Sequence, residues 1–511
     1  MRRLAATGAA VLLLSAFGPA ASGIPIDQGH IEWIAADDGW VTGSGAVDAN
    51  GDGVLDVVTG AGDRSSAYVW CGAAGNPSPH LNLATDTAMQ PAPRLSVLDG
   101  RDGTVLWQKE WNTGGLVGQA PERDRYELLE GTWVGDVDGD GSQDILVLRS
   151  SPAADGSNRI DRLELYDPRN GTLRWAVNET LPAGEASIRQ FFPAEILGEP
   201  GAVLIRWVIN PDFTFDTTAR LLSIEPGEPP SVIHQLADGE GSLMLPEVVP
   251  YGDGVRIVET SVRVTPPPGL SVNVDVDVVD LVRDEDGDLV ETPAWSRKNV
   301  NGLPVVATRG SEPSVVVGED SVVAYDLDDG VKRWQNPTVI GAEAGGTMTA
   351  LDVNGDGVDD IVASPKFGPK AIPDPAGLFL GGFSPEIVAI DGRTGADLWR
   401  RVDQVGKFGA LSFSTADVDA DGKRELVAVM PHQDPWPLCS QPSDDPGLVG
   451  VYELATGVPE CRLSTDRLAS GVVAANLNGV AGDELAVTTY GGRTYAFTDA
   501  EPGCGLLATS P

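Results

Sequence analysis

The 511-residue sequence predicts an all-β fold, a β-propeller of four-stranded antiparallel blades, eight in number with seven as the competing count. Three observations predict it. Two short motifs alternate along the chain, the motifs recur at intervals of about 60 residues, and 62 Gly and 38 Pro punctuate strand-like runs too short for long helices. A β-solenoid would also repeat, but its units are normally much shorter.

The first motif is D-x-[DN]-x-D-G-x-x-[DE] followed by apolar residues. It occurs as "DANGDGVLDVV" from Asp48, "DVDGDGSQDILV" from Asp136, "DVNGDGVDDIVA" from Asp352 and "DVDADGKRELVAV" from Asp417. Carboxylates this close repel unless a cation sits among them. An EF-hand needs a bidentate Glu at the twelfth position, where this chain has Thr59, Val147, Ala363 and Ala428, and its flanks are helical, whereas these are strand-like. What remains is a strand–loop–strand calcium site with its last carboxylate at position nine. Hard oxygen ligands without His or Cys favour Ca²⁺ over zinc or copper, and a crowded turn suits a larger ion than Mg²⁺. The alternative is an acidic turn whose side chains merely cap backbone; four copies at matching repeat positions weigh against it. A fifth version, "NLNGVAGDELAV" from Asn476, lacks the acidic ligands at the first three positions and reads as a relic that binds metal weakly or not at all.

The second motif places Gly four residues after an Asp and Trp four residues after the Gly. Its copies are Asp99, Gly103, Trp107; Asp167, Gly171, Trp175; Asp326, Gly330, Trp334; and Asp391, Gly395, Trp399, with the variant Glu453, Gly457, Cys461. It reads as a hairpin: the Asp caps the turn, the Gly supplies a positive φ, and the Trp ring lies between neighbouring sheets with its N–H on a backbone carbonyl.

Spacing divides the chain into units. The first motif recurs after 65 residues between Asp352 and Asp417 and after 59 between Asp417 and Asn476, and the gap from Asp136 to Asp352 leaves room for three degenerate units. These contain "PAEILGEPGAVLIRW", "VDLVRDEDGDLVETPAW" and the unit ending at Trp334. Residues 71–94 read as an insert in the first blade. A ring closes when one terminus adds a strand to the other terminal blade, and "HIEWIAADDGW" near 30–40 is the candidate. The acidic alternation from Val274 to Asp288 reads as an exposed hairpin rather than a further calcium site.

Residues 1–23 have two arginines, a short apolar core and small residues at their end, the pattern of a secretory signal, leaving 24–511 as one propeller domain and the protein secreted or at the cell surface. No cysteine for a lipoprotein anchor and no later membrane-length segment is present in the sequence. The net charge of −40 excludes nucleic acid and anionic lipid as partners. Cys71, Cys439, Cys461 and Cys504 allow three pairings; Cys439–Cys461 within one unit, with Cys71–Cys504 across the ring closure, is the expected one. The four histidines lack metal spacing. Of the sequons at Asn170 and Asn178, the second is the better placed, because the first falls in a tight turn.

The acidic loops with their strands resemble FG-GAP repeats, the calcium-bearing blades of integrin α-chain propellers. The "AIDGRTGADLW" hairpins resemble the tryptophan-docking repeats of PQQ-like propellers. The resemblance covers most of residues 44–500 and is weakest in blades three to five; the phenylalanine-glycine and glycine-alanine-proline signatures are poorly kept. It assigns calcium ligation to Asp48, Asn50, Asp52, Asp56; Asp136, Asp138, Asp140, Asp144; Asp352, Asn354, Asp356, Asp360; and Asp417, Asp419, Asp421, Glu425, completed by the backbone carbonyls of Val54, Ser142, Val358 and Lys423. About four calcium ions are implied, in a secreted binding, adhesion or scaffold module whose partner is a protein or glycan of the cell envelope or matrix. The alternative is a propeller enzyme, similar to quinone-dependent dehydrogenases or calcium-dependent polysaccharide lyases. No vicinal cysteine pair, nucleophile elbow or haem-attachment motif occurs to favour it, and no catalytic residue is named.

Overall fold

The computed structural model describes residues 30–36, 40–62, 93–111, 128–152, 159–181, 187–209, 215–240, 243–252, 254–265, 271–300, 305–310, 312–318, 321–340, 347–365, 386–402, 412–431, 447–465, 469–489 and 492–498. Within them are thirty-two strands in eight four-stranded antiparallel sheets. No helix among the described residues is long and apolar enough to cross a membrane.

Each sheet is a meander of consecutive strands. Blade I is Trp40–Val47, Asp56–Gly62, Arg94–Leu98 and Val105–Glu110. Blades II to VII draw their strands from 128–181, 187–240, 243–300, 305–336, 347–402 and 412–465. Blade VIII takes three strands from 469–498, and its fourth, outermost strand is His30–Ala36, antiparallel to Arg493–Thr498. The N-terminal strand therefore closes the ring, as expected, and covers a sheet edge that would otherwise stay open. First strands of adjacent blades pack together around the centre. Apolar clusters fill the gaps between sheets, as where Val203, Ile205 and Leu221 of blade III meet Val255 and Ile257 of blade IV.

In a meander, the loop between strands one and two and the hairpin between strands three and four leave the sheet at the same end. Both sequence motifs thus lie on one rim. The hairpin behaves as its chemistry requires. Gly103, Gly171, Gly330, Gly395 and Gly457 all have positive φ, and each donates its N–H to the carbonyl of the acidic residue four positions earlier, at 2.7–3.0 Å. These glycines have a second reason to be glycine. A Cβ at Gly171, Gly330, Gly395 or Gly457 would meet the ring of Trp107, Trp295, Trp334 or Trp399, respectively, from the preceding blade.

Docking is regular. Trp107, Trp295, Trp334 and Trp399 donate Nε1–H to the carbonyls of Pro168, Leu327, Gly392 and Leu454, in each case the residue after the next blade's acidic turn residue. Two residues past the Trp a further donor reaches the next hairpin: Asn336 Nδ2 binds Gly395 O at 2.8 Å and Arg401 Nε binds Gly457 O at 3.2 Å. Trp175 is the exception. Blade III lacks the Asp-to-Gly turn, and Trp175 Nε1 is buried with no partner. Cys461 takes the Trp position in blade VII and is buried; the expected partners Cys439, Cys71 and Cys504, like most of the 71–94 insert, lie outside the described residues. The Val274–Asp288 segment was expected as an exposed hairpin; its turn, with Asp284 N–H on Asp288 O at 2.9 Å, is exposed, but its strand Ser271–Arg283 is the third of blade IV and buries Val274, Val276, Val278 and Leu281 against neighbouring blades.

Gly395→Ala, with φ of 72° and a Cβ 2.7 Å from the Trp334 ring, is expected to cost about 2 kcal/mol or more. Trp334→Phe, which loses the bond to Gly392 O and leaves part of the buried indole's volume empty, is expected to cost about 2 kcal/mol. Thermal melts of the two variants check both losses.

Candidate metal centre

The four acidic loops join strands one and two of blades I, II, VI and VII, and the relic loop does the same in blade VIII. The loop fold comes from its own side chains. In blade I, Asp48 accepts the N–H groups of Gly51, Asp52 and Gly53, Asn50 Oδ1 accepts Asp52 N–H, and Asp52 Oδ1 accepts Val54 N–H. Blade VI repeats every one of these bonds with Asp352, Asn354, Asp356 and Val358. In blades II and VII, Asp136 and Asp417 accept Gly141 and Gly422 N–H, while Asp140 and Asp421 accept Ser142 and Lys423 N–H. The carboxylates converge because they wrap one turn of backbone.

Two loops gather three carboxylates each: ligand atoms of Asp136, Asp138 and Asp144 lie within 4.8 Å of one another, as do those of Asp417, Asp419 and Glu425. The other two loops carry Asn50 and Asn354 at the third position, which removes one charge. The donors throughout are hard oxygens, which fits Ca²⁺.

Position nine is the first residue of the second strand in every copy: Asp56, Asp144, Asp360, Glu425 and, in the relic, Glu484. All five are at most 4% exposed. Their surroundings differ. In blades I and VI both oxygens accept backbone N–H groups: Asp56 from Ala49, Asn50 and Gly100, and Asp360 from Val353, Asn354 and Gly392. Gly100 and Gly392 belong to the Trp-motif hairpin of the same blade, so this carboxylate ties the two motifs together.

Blade II solves the problem otherwise. Asp144 meets the guanidinium of Arg174, whose Nη1 lies 2.6 Å away, with the Val137 backbone N–H as a further donor. Arg174 also lies 3.5 Å from Asp140. In blade VII, Glu425 accepts Val418 N–H at 2.7 Å, and Glu460, Asp419 and Asp417 around it are all acidic. In the relic loop, Glu484 accepts Leu477 N–H and the Asn478 amide, both at 2.7 Å. That loop keeps its shape with neutral amides.

Burial raises the carboxyl groups of Asp144 and Asp360 to about 6 and that of Glu425 to about 7, and raises Asp56 as well. Backbone donors, or Arg174 in blade II, oppose the rise without cancelling it.

Sequence reading did not find the role of position eight. Asp359 donates its N–H to Arg309 O of blade V and accepts Arg309 N–H on Oδ2; Asp483 makes the same two bonds with Asp417 of blade VII. Leu55 donates to Asn476 O of blade VIII. The loops are thus linked from blade to blade along the rim. An acidic residue at position eight is the signal, visible in "VDDIVA" and "AGDELAV", but its partner lies one blade away in the chain.

Ala420 occupies the fourth loop position with φ of 60°, where the other copies have Gly51, Gly139, Gly355 and Gly479.

No protein-family model matches the chain, and neither does any curated protein sequence. Among solved structures it is similar to the C-terminal WD40 domain of Sif2 (10% identity, 92% of this chain, 99% of that one, TM-score 0.45). It is also similar to the rhamnogalacturonan lyase PL11 of Bacillus licheniformis (12%, 92% and 91%, 0.39) and to BamB from Moraxella catarrhalis (14%, 81% and 94%, 0.38). The fold assignment rests on the strand pairing described above.

Two outcomes are expected. Ala420→Gly relieves a left-handed alanine and raises stability by about 1 kcal/mol, read from the melting temperature. The second concerns pH in the metal-free protein. The folded-state values of Asp144, Asp360 and Glu425 lie above their unfolded ones, so the folded protein holds more protons between about pH 4 and 7 and loses stability as pH rises through that window. Melts in EDTA should therefore fall from pH 5.5 to pH 7.5; a rise over that range would contradict the assigned burial.

Proposed function

We propose that this chain is a secreted, calcium-stabilised β-propeller that serves as a binding, adhesion or scaffold module at the cell surface, with residues 1–23 as its secretory leader and 24–511 as one domain. The observation that carries this reading is the rim: four loops of one sequence pattern, each with a buried carboxylate at its end, lie beside the Asp-to-Gly hairpins, three of which receive a tryptophan. Two of them bring three carboxylates within one ion's reach. This arrangement supports the likeness to FG-GAP and PQQ-like repeats.

Calcium would be held by Asp48, Asn50, Asp52 and Asp56 in blade I and by the corresponding residues of blades II, VI and VII, with the carbonyls of Val54, Ser142, Val358 and Lys423. Its chemistry there is charge neutralisation and rigidity. A divalent ion bound only by the folded loop stabilises the fold by mass action. Through the blade-to-blade bonds of Asp359 and Asp483, it would stiffen the rim as a whole. A stiff rim can present a contact surface to a protein or glycan of the envelope or matrix at little ordering cost.

The test is capture of envelope proteins and polysaccharides by the mature protein, in calcium and in EDTA, beside a melt in each. The expected result is a partner retained only in calcium and a melting temperature lower by many degrees in EDTA. An unchanged melt would remove calcium from the account, and a polysaccharide shortened during incubation would replace the binding module with an enzyme.

A further inference from the structure

Blades III and IV meet in their own way. At four other junctions a tryptophan in the fourth strand of one blade donates Nε1–H to a carbonyl in the next blade's hairpin. The fourth strand of blade III, Ser231–Glu240, contains no tryptophan, and neither blade carries the acidic loop motif. An apolar cluster holds the junction, with Val203, Ile205 and Leu221 against Val255, Ile257 and Leu281. Farther along the same two sheet faces the chemistry turns acidic.

Side chains alternate along a strand, so Glu259, two residues past Ile257, faces blade III. The ladder pairs Glu259 with Asp277 and Ser261 with Asp275, which puts both aspartates on that face too. From the fourth strand, Lys298 Nζ lies 2.7 Å from Asp277 and 3.8 Å from Asp275. Glu291 of the same strand lies 2.7 Å from His234 Nε2 of blade III. Among the described residues, these five are the charged and titratable groups that face this gap from the strands packed around it. The lysine is already committed to the two aspartates.

Glu259 Oε1 is buried with no hydrogen-bond partner among the described residues. Trp207 of blade III, two residues past Ile205, is 4% exposed, and its Nε1 has no acceptor, so no indole neutralises the carboxylate. Directly opposite residues of an antiparallel pair have Cβ atoms about 5 Å apart. An ionised Glu259 would thus stand against ionised Asp277 with one oxygen out of water and unpaired, which is costly. The neutral acid meets neither difficulty. Burial raises this carboxyl to about 7, the charges of Glu291 and Asp277 add to the rise, and Lys298 opposes it.

We propose that the junction of blades III and IV is a proton-operated joint: Glu259 closes it as the neutral acid, and loss of that proton opposite Asp277 loosens this junction while the tryptophan-docked junctions stay closed. The proton goes to solvent and no other bond changes. The inference goes beyond the binding-module reading and does not depend on calcium. Its direction follows from linkage. The folded-state value lies above the unfolded one of about 4.5, so the contribution is complete in acid and is lost as pH rises through about 7.

The experiment is peptide-resolved hydrogen exchange of the mature protein at pH 5 and pH 8, with rates corrected for the intrinsic effect of pH, in calcium and in EDTA. In the wild type, strands 199–209 and 254–265 should open about tenfold or more faster at pH 8, beyond any change in strand 360–364 of blade VI. The same result is expected with and without calcium. Glu259→Gln, which keeps the shape of the neutral acid, should abolish the local acceleration. Asp277→Asn, which removes the charge opposing ionisation, should reduce it, and this variant decides the matter if Glu259→Gln fails to fold. His234→Gln should retain it. Equal acceleration in Glu259→Gln and wild type, acceleration spread evenly around the ring, or none at all would overturn the joint. Loss in His234→Gln would move the sensor to the His234–Glu291 pair and overturn it as well.

Discussion

The rim is built around one constraint: a carboxylate buried at the first residue of a central strand cannot stay charged unless donors or a cation meet it. Asp56, Asp144, Asp360, Glu425 and Glu484 all sit at that place, nearly or wholly out of water. The chain meets the requirement in different ways. Backbone N–H groups suffice in blades I and VI, an arginine serves in blade II, and an asparagine amide with one N–H serves in blade VIII. Blade VII surrounds its glutamate with further acids. The same carboxylate that needs neutralising also joins the acidic loop to the neighbouring hairpin, so satisfying it orders both motifs at once.

From this site the order spreads in two directions. Within a blade, the Asp56–Gly100 and Asp360–Gly392 bonds hold the loop against the hairpin turn, which in blade VI receives Trp334 of the preceding blade. Between blades, Trp334 on Gly392 and Asp359 on Arg309 fasten adjacent sheets at the same rim. Small sheets with short edges gain little from pairing alone, and these contacts, with the apolar clusters between sheets, set the spacing of the ring. The closing strand His30–Ala36 completes it by pairing with Arg493–Thr498, and its Ala35 packs against the apolar cluster between blades VIII and I.

Much of this was legible in the sequence, because the two motifs are local. Four-residue spacing from Asp to Gly to Trp encodes a turn, a positive φ and a buried ring, and each can be inferred from residue type. The acidic loops were legible for the same reason, and "HIEWIAA" could be identified as the closing strand because a ring needs one. The rest depends on neighbours one blade away or on a shift of register. Asp359 and Asp483 read as further acids in an acidic loop until Arg309 and Asp417 stand opposite them. Arg174 reads as a strand residue until a bulge in its ladder turns it toward Asp144. Blade III was legible only as the degenerate unit "PAEILGEPGAVLIRW" because it lacks the Asp-to-Gly turn, and the unpartnered Nε1 of Trp175 is the physical trace of that loss.

The most direct measurement is the number of calcium ions held by the metal-stripped mature protein at equilibrium dialysis, in enough monovalent salt to screen its acidic surface. This account predicts saturation at about four ions per chain, one for each acidic loop and none for the loop at Asn476. Uptake that rises with calcium without a plateau, or vanishes as salt is raised, would mean that the loops are held by their own hydrogen bonds and ion pairs and that the buried carboxylates need no metal.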